Sequence, residues 1–405
     1  MKSKIKMIII LLVCIFFTVN LWGCAPSEEA SEQESSPDPA GGGEQGAELE
    51  PIKLGFVGVL TGASAENGEY CSRGAILAVE EINASGGVQI PGEEGKREFE
   101  LLLEDDQGTP QGGMNAIQKH INQNNVFAIL GSDYSGVTYP SMELTRDAVV
   151  PQFTSSLAPK ITAEGHPTIF RTRTNDYYRS EAAVSYFVEE LGIEKIALAY
   201  TNNEYGKTGI DEAENHLKKK YGIEPLVKVS HDYGDRDLSS SAVAIKQSNA
   251  DGVISWGIQQ EHALLYKELR SIGYEGTFYF SDVDDIFGKL LTDEELDGII
   301  GTNTLVPSDT RPKAAEFIKN YNERFGMNPD THSAAYYDAV YFIKHVLEQT
   351  SLDVEEFVAF ARAVPSWEGT QGTWRPADFG NGDVGTFVTV YRMEGRTPVV
   401  IHQYD

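Results

Sequence analysis

IKLGFVGVLTG at residues 52–62 and GAILAVEEINASGG at residues 74–87 decide the fold of this chain. The first stretch is almost entirely apolar, which is typical of a strand that is covered on both faces of a parallel sheet. In the second stretch, apolar residues recur every three or four positions, as on the buried side of an amphipathic helix. The glycine pair at its end stops the helix. The two stretches therefore predict a strand, a loop and a helix, in this order.

The same alternation of strand and helix continues along the chain in two series. It is typical of α/β proteins with doubly wound parallel sheets. The roughly 355 residues after position 50 exceed what one hydrophobic core usually supports, so we expect two lobes. The predicted strands are 99–103, 126–130, 149–153, 196–200, 225–229, 252–256 and 277–280, and the predicted helices are 111–123, 138–147, 180–191, 207–221, 238–247 and 262–272.

The two quoted stretches resemble the opening of the leucine/isoleucine/valine-binding family, the solute receptors of amino-acid ABC transporters, and the resemblance extends over most of the chain from residue 51. It implies a type I periplasmic binding fold, in which a three-strand hinge joins two doubly wound α/β lobes. The chain would cross between the lobes near Thr174, Asn303 and Asp383. The implied lobes are 51–174 with 304–383, which includes helices 312–325 and 334–349, and 175–303 with 384–405, which includes the strand 386–391.

The first residues predict a secretory signal. Three lysines precede an apolar run over residues 7–19, which is too short and wrongly flanked for an ordinary transmembrane helix. The Leu21-Trp22-Gly23-Cys24 segment that follows resembles a bacterial lipobox, which implies a signal peptide over residues 1–24 and a lipid on the Cys24 thiol. The alternative is an ordinary signal peptide that contains a cysteine.

Residues 25–50 predict a disordered acidic tether. They contain eight acidic residues, no basic residue and a run of three glycines, so they cannot bury enough apolar surface to fold. Such a tether suits a receptor that is anchored to a bacterial membrane by lipid and works outside the cytoplasm beside a membrane permease. We therefore expect three partners: the membrane, an ABC permease and a small-molecule ligand.

Composition excludes several other classes of protein. The 61 acidic and 33 basic residues give a net charge of −28, which excludes nucleic acid as a partner.

With Cys14 in the signal and Cys24 lipidated, Cys71 has no partner for a disulfide, and we expect a buried, inert thiol rather than a reactive one. We expect a monomer.

Motifs for catalysis are missing from the sequence. It contains no HExxH, no close histidine pair and no GxSxG segment, so it predicts neither a metal site nor a serine nucleophile. The Gly206-Lys207-Thr208 segment resembles the end of a phosphate-binding loop, but Thr201 occupies the position of the first glycine. We expect no enzymatic activity and no cofactor.

Two loops rich in hydroxyl groups follow predicted strands: GSDYSG at residues 131–136 and TSS at residues 154–156. Ligands of open α/β sheets bind beyond the carboxyl ends of the strands, where helix N-termini expose backbone N–H groups. Hydroxyl and amide donors at such a place suit a carboxylate. Helix capping is the alternative explanation for each single residue.

The resemblance assigns roles to individual residues. It implies that Ser135 holds the α-carboxylate of an amino acid and that Ser155 and Ser156 lie close to a second carboxylate-binding loop. Tyr205 would close over the ligand, and Asp282 would bind the α-ammonium group. For Asp282, the alternative is a cap of the next helix.

Several positions depart from the family pattern or leave alternatives open. Asn67 replaces an aromatic residue of the side-chain pocket and Ile258 replaces a tyrosine, which argues against a branched-chain ligand. Tyr337 aligns with a family tyrosine near the cleft, although core packing explains it equally well. Arg173 would meet an acidic ligand side chain or form a surface or hinge ion pair.

The sequence thus predicts a lipid-anchored, two-lobed receptor that closes on a small amino acid and presents it to an ABC permease. The main alternative ligand is an amide, urea or an aromatic acid. The alternative from another class is a ligand sensor for a signalling partner.

Overall fold

The computed structural model describes residues 49–62 and 64–404. The predicted signal peptide, the Cys24 lipidation site and nearly all of the predicted tether lie outside these residues. Each helix within the described part of the chain is too short or too polar to cross a membrane.

The strands are short and are spread along the whole described chain. In chain order they are β1 Ile52–Gly58, β2 Val88–Gln89, β3 Lys96–Arg97, β4 Phe99–Asp105, β5 Ala128–Gly131, β6 Gln152–Thr154, β7 Ile169–Arg171, β8 Ile196–Thr201, β9 Val227–His231, β10 Gly252–Trp256, β11 Thr277–Phe280, β12 Ile300–Asn303, β13 Trp367–Gly369, β14 Gly372–Trp374, β15 Val388–Glu394 and β16 Thr397–Tyr404.

The helices alternate with the strands. They are α1 Ala65–Ala84, α2 Pro110–Lys119, α3 Ser135–Ala148, α4 Lys160–Ala163, α5 Asp176–Ser185, α6 Glu204–His216, α7 Ser239–Gln247, α8 Gln259–Ser271, α9 Asp285–Lys289, α10 Asp293–Leu296, α11 Pro312–Phe325, α12 Thr331–Leu347, α13 Val354–Ala363 and α14 Pro376–Phe379. Single π-helical turns at His120–Asn124, Tyr186–Glu190 and Leu217–Tyr221 continue α2, α5 and α6.

The first sheet is parallel throughout and has the strand order β4-β1-β5-β6-β7. The interior strand β1 is buried along almost its whole length because helices cover both faces of the sheet. The chain leaves β1 for one edge at β4 and then returns to build the other edge from β5 onward. The topological switch of this sheet therefore lies between β1 and β5.

The second sheet repeats this order with different strands: β9-β8-β10-β11-β12 are parallel, and the switch lies between β8 and β10. At its far edge it differs from the predicted, purely parallel sheet. There β15 pairs with β12 and β16 pairs with β15, both antiparallel.

The fold prediction is confirmed, and most predicted strands and helices end within a few residues of the observed ones. Twelve observed elements, most of them two to five residues long, are missing from the prediction: β2, β3, β7, β12, β13, β14, β16, α4, α9, α10, α13 and α14. The lobe boundaries stay a prediction. Strand membership is compatible with them, because the first sheet uses residues 52–171 and the second uses residues 196–303 together with strands after 388.

The three predicted crossing segments lie side by side. Arg171 Nε donates to Asp383 Oδ1 at 2.6 Å, which joins the first segment to the third, and both side chains are buried. The Thr174 hydroxyl donates to the Phe387 carbonyl at 2.8 Å, and Arg173 reaches Asn303 of the second segment. Polar contacts between buried groups thus hold this region together.

The longest helix, α1, packs closely against α12. A Cβ atom at Gly74 would collide with the backbone of Ser333, so the approach of the two helices requires glycine at this position. Cys71, on the same helix, is buried as predicted, and burial raises the pKa of its thiol well above the usual value.

We expect Gly74→Ala to destabilise the protein by about 1–3 kcal/mol, because the added methyl group forces the two helices apart. Urea unfolding measures this loss. Gly288→Ala is the matched control, since only one side-chain atom of Arg396, at 4.0 Å, lies near its added Cβ. A Gly74→Ala protein as stable as the wild type would contradict the close approach.

Candidate functional site

A cavity of about 440 Å³ lies where the carboxyl ends of strands from the two sheets meet. On one side it is lined by the loops that follow β1, β4, β5 and β6, and on the other by the loops that follow β8, β10 and β11. Both topological switch points therefore open into one cavity. Parallel α/β sheets generally bind their ligands at this place.

The structure brings most of the predicted site residues together here. Those that line the cavity are Asn67, Ser135 and Ser155 from the side of the first sheet and Tyr205, Ile258 and Asp282 from the side of the second. Ser156 and Tyr337 do not line it. Arg173, which the sequence left as a ligand contact or an ion pair, also lines the cavity, as does His332, which is absent from the predicted residues.

Ser135 is the first residue of α3, and its hydroxyl lies at the N-terminus of this helix. Its Oγ accepts a hydrogen bond from the Ala158 N–H at 3.2 Å, and its own proton has no acceptor among the described residues. The first N–H groups of a helix lack intrahelical partners, and they attract anions. The hydroxyl and this helix end together provide donors for one carboxylate.

Ser155 and Ser156 are adjacent in sequence, but their hydroxyl groups point in different directions and have different hydrogen-bond partners. The Ser155 hydroxyl donates to the Asp133 carboxylate and shares a 2.9 Å hydrogen bond with the Tyr336 hydroxyl at the cavity wall. Ser156 points away from the cavity, where its hydroxyl donates to the Asp133 carbonyl at 2.8 Å. Its hydroxyl therefore orders the loop after β5.

Tyr337 lies outside the cavity, which corrects its placement near the ligand. Its hydroxyl donates to Glu81 Oε2 at 2.6 Å, and its ring packs against Phe317 with centroids 4.6 Å apart. The reason is the direction of its side chain on α12, which faces α1 and α11. Core packing, the alternative that the sequence left open, explains this residue.

Asp282 lies in the cavity and is held by groups of the second sheet. Its Oδ1 accepts a hydrogen bond from Arg179 Nη2 at 3.1 Å, and its Oδ2 accepts one from the Tyr205 hydroxyl at 2.7 Å. Burial raises the pKa of the Asp282 carboxyl, but the guanidinium groups of Arg179 and Arg173 outweigh burial and hold this pKa at about 2. The next helix, α9, is capped by Asp284, so helix capping does not explain Asp282.

Arg173, for which the sequence left a ligand contact and an ion pair open, lies at the cavity. Its side chain is buried at the cavity wall, with Nη2 3.6 Å from Asp282 Oδ1 and Nη1 4.0 Å from Asp133 Oδ1. It thus lies between a carboxylate from each side of the cavity. The two-residue spacing from Arg171, at a crossing segment, is the only sequence signal for this position.

His332 is the second cation of the cavity. Its Nδ1 lies 2.9 Å from Asp330 Oδ2 and its Nε2 lies 3.8 Å from Asp133 Oδ2. Burial lowers the pKa of His332, but the carboxylates of Asp133 and Asp330 outweigh burial and raise this pKa to about 9. At neutral pH the imidazole therefore carries a positive charge.

One group of side chains has the composition of a metal site: ligand atoms of Asp284, Asp330 and His332 lie within 4.8 Å of one another. Other roles account for each of them. Asp284 and Asp330 cap α9 and α12 through backbone N–H groups, and a protonated His332 is not a metal ligand. The group therefore gives no independent indication of a metal.

Asn67 and Ile258 line the part of the cavity where the family pattern places aromatic residues. Asn67 is 5% exposed, and its Oδ1 has no hydrogen-bond partner among the described residues. Ile258 is buried, and its backbone N–H donates to the Thr201 hydroxyl at 3.1 Å. The first side thus contributes a buried acceptor to the cavity and the second an aliphatic side chain.

Comparisons with known proteins identify relatives of this chain. A family model described as periplasmic binding protein matches residues 51–393. Leu/Ile/Val-binding protein BraC3 of Rhizobium johnstonii is 30% identical over 232 residues, which make up 57% of this chain and 61% of that protein. The match thus spans about three fifths of this relative.

Two solved structures have the same fold. The leucine binding protein LivK from Thermotoga maritima has a TM-score of 0.78 at 22% identity, covering 87% of this chain and 98% of that chain. A solute binding protein from R. palustris in complex with benzoate has a TM-score of 0.72 at 18% identity, covering 87% and 96%. The resemblance to the leucine/isoleucine/valine-binding family and the type I periplasmic binding fold are confirmed.

We expect the free energy of unfolding to fall by about 2 kcal/mol between pH 7 and pH 9 because of His332. The folded protein keeps the His332 proton up to a pKa of about 9, whereas the unfolded chain loses it near 6.5. The stabilisation is therefore complete below pH 6.5 and is lost as the pH rises through 9. Urea unfolding at both pH values measures it.

His332→Gln is the control, because this variant removes the titrating group and should lose most of the dependence. Burial raises the pKa of Asp284 only to about 7, so this carboxyl titrates mainly below the chosen window. If the free energy of unfolding fell equally in the wild type and in His332→Gln, another group would be responsible for the pH dependence.

Proposed function

Because the chain belongs to the periplasmic binding protein family, whose members are solute-binding receptors and not enzymes, we propose that it is the extracytoplasmic receptor of an ABC importer. Its ligand in this proposal is a small amino acid with an unbranched side chain. The observation that carries the proposal is the shared cavity. On one side it offers hydrogen-bond donors that suit a ligand carboxylate, and on the other it offers the carboxylate of Asp282.

In the proposed complex, the Ser135 hydroxyl and the N-terminus of α3 bind the α-carboxylate, and Asp282 binds the α-ammonium group. Tyr205 lies beside Asp282 and covers the ligand from the second sheet. A hydroxyl and a helix N-terminus on one side and the Asp282 carboxylate on the other suit the two ends of a zwitterion. The volume of about 440 Å³ lies within the usual range of small-molecule pockets, about 300–1,000 Å³.

Asn67 supports the exclusion of a branched-chain ligand. Its buried Oδ1 has no partner, and a purely aliphatic ligand side chain would leave it unpaired. An unpaired buried acceptor typically costs about 1–3 kcal/mol. A ligand with a hydrogen-bond donor in this region avoids this cost.

Closure of the cleft is the proposed mechanism. Contacts that join the two sides include Lys160 Nζ to Glu204 Oε1 at 2.9 Å, the Tyr70 hydroxyl to Asp285 Oδ2 at 2.8 Å and the Ser64 hydroxyl to the Tyr233 hydroxyl at 3.2 Å. A ligand that touches both sides only when they are close shifts the population toward the closed form. No chemical step is needed.

Two predictions on the N-terminal segments form part of the proposal. A lipid on Cys24 would anchor the receptor to a bacterial membrane, and residues 25–50 would tether the folded part to it. This arrangement keeps the receptor near its permease.

A carboxylic acid without an amino group is the second candidate ligand. The observation in its favour is that both oxygens of Asp282 already accept hydrogen bonds from Arg179 and Tyr205. An ammonium group would approach this carboxylate beside two guanidinium groups. The R. palustris protein with the same fold holds benzoate, an acid of this kind.

A thermal-shift screen of residues 51–405 separates the two candidates. We expect L-amino acids to stabilise the protein, and a ligand at a hundred times its dissociation constant adds about 2.7 kcal/mol. Each amino acid is compared with its analogue that lacks the amino group. Stabilisation by the analogues alone would contradict the ammonium role of Asp282 and favour the second candidate.

Ser135→Ala should weaken binding of the ligand from this screen by about 1.5–3 kcal/mol, since it removes a hydrogen bond to a charged group. Ser156→Ala is the matched control, because its hydroxyl bonds to the protein outside the cavity. Isothermal titration calorimetry measures both affinities. An equal loss in the two variants, or none in Ser135→Ala, would contradict the carboxylate site.

A further inference from the structure

Three buried arginines, Arg171, Arg173 and Arg179, lie in or just after the first crossing segment, and they differ in how their N–H groups are used. A guanidinium carries five N–H donors, and burial makes each unused donor costly. Since the protein must compensate this cost, the partners of each arginine indicate its role.

Arg171 and Arg179 are well supplied with protein acceptors. Arg171 donates to Asp383 at 2.6 Å, to the Thr162 hydroxyl at 2.9 Å and to two backbone carbonyls. Arg179 donates to Asp176 at 3.0 Å, to Asp282 at 3.1 Å and to two backbone carbonyls. Both arginines are structural groups.

Arg173 differs from them. Its side chain is 3% exposed, yet its only hydrogen bond within the described chain is a long one, 3.4 Å from Nη2 to Asn303 Oδ1. The carboxylates of Asp282 and Asp133 lie beyond hydrogen-bond distance, at 3.6 and 4.0 Å, and Nε, like the Nε of Arg179, has no partner among the described residues. Unlike the other two, this guanidinium lines the cavity.

The charges around Arg173 also leave it available. Asp282 has a closer cation in Arg179, at 3.1 Å, and Asp133 has His332 at 3.8 Å. The protein therefore supplies each of these carboxylates with a cation other than Arg173. An acceptor of the ligand beside Arg173 would fill its unused donors.

We infer that Arg173 binds a carboxylate of the ligand other than the one on Ser135, so that the ligand is an acidic amino acid or a related dicarboxylate. This inference rests on the proposed function, because it uses the same cavity and the Ser135 carboxylate site. A planar guanidinium binds a carboxylate through two parallel hydrogen bonds. The neighbouring Asp133 and Asp282 disfavour an anion of higher charge, such as phosphate.

The competing explanation is purely structural: Arg173 would only reduce the repulsion between Asp133 and Asp282. In this case every ligand would depend on Arg173 to the same extent, whether its side chain is acidic or neutral. Isosteric pairs of an acid and its amide therefore separate the two explanations.

The experiment is calorimetric titration with L-glutamate against L-glutamine, L-aspartate against L-asparagine, and glutarate, a dicarboxylate without an amino group. We expect the wild-type protein to bind the acid of one pair at least tenfold more tightly than its amide. Arg173→Gln should remove this preference. It should lower the affinity for the acid by a factor at least ten times larger than the factor for the amide. Arg173→Lys should retain part of the preference, because it keeps the charge without the fork.

Arg324→Gln is the matched control. It removes the same charge from an exposed arginine that pairs with Glu80 and lies outside the cavity. Its preference for the acid should equal that of the wild type. If Arg173→Gln does not fold, the acid and amide affinities of the wild-type protein and of Arg173→Lys still test the inference.

Three results would overturn the inference. The amides could bind the wild-type protein as tightly as the acids, Arg173→Gln could lower the affinities for acid and amide equally, or none of the acids could bind. The first two would leave the amino-acid receptor intact. Binding of glutarate alone, dependent on Arg173, would instead support the inference and contradict the proposed amino-acid ligand.

Discussion

The buried ion pair between Arg171 and Asp383 is the interaction on which the geometry of the cavity depends. It joins the first and third crossing segments, and the same guanidinium also holds the carbonyls of Ser156 and Ala158 in the loop after β6. One side chain thus fixes both the connection between the sheets and one wall of the cavity. Loss of one partner from such a pair typically costs about 3–5 kcal/mol, since a buried charge is left without compensation.

The charged groups of the cavity extend this principle across both sheets. Asp133 follows β5 of the first sheet and Asp282 follows β11 of the second, and Arg173 lies between them on the crossing segment. Buried charges interact strongly, so the energy of these charged groups depends on how the two sheets are placed relative to each other. A ligand that enters among these charges is therefore well placed to favour one arrangement of the two sheets over another.

Regular patterning explains which parts of the fold could be predicted. The apolar strand β1 and the amphipathic helix α1 have clear periods, and β1 and the end of α1 lie close to the prediction, whereas α1 begins at Ala65, nine residues before the quoted stretch. In contrast, β7 has three residues and β12 has four, too few for a period to be recognised. Edge strand β16 is mostly half-exposed and its apolar run, residues 398–401, is short, so its antiparallel pairing with β15 defines it.

The sequence by itself determined the α/β class, the family and the loops that form the site, because strand and helix periods and the hydroxyl-rich turns are local properties. The family resemblance also pointed to Ser135, Tyr205 and Asp282, which line the cavity. Only the tertiary structure decided the directions of side chains, as for Ser156 and Tyr337, which point elsewhere. It alone placed Arg173 and His332 beside Asp133, because proximity of residues far apart in sequence depends on how the two sheets and their crossing segments pack.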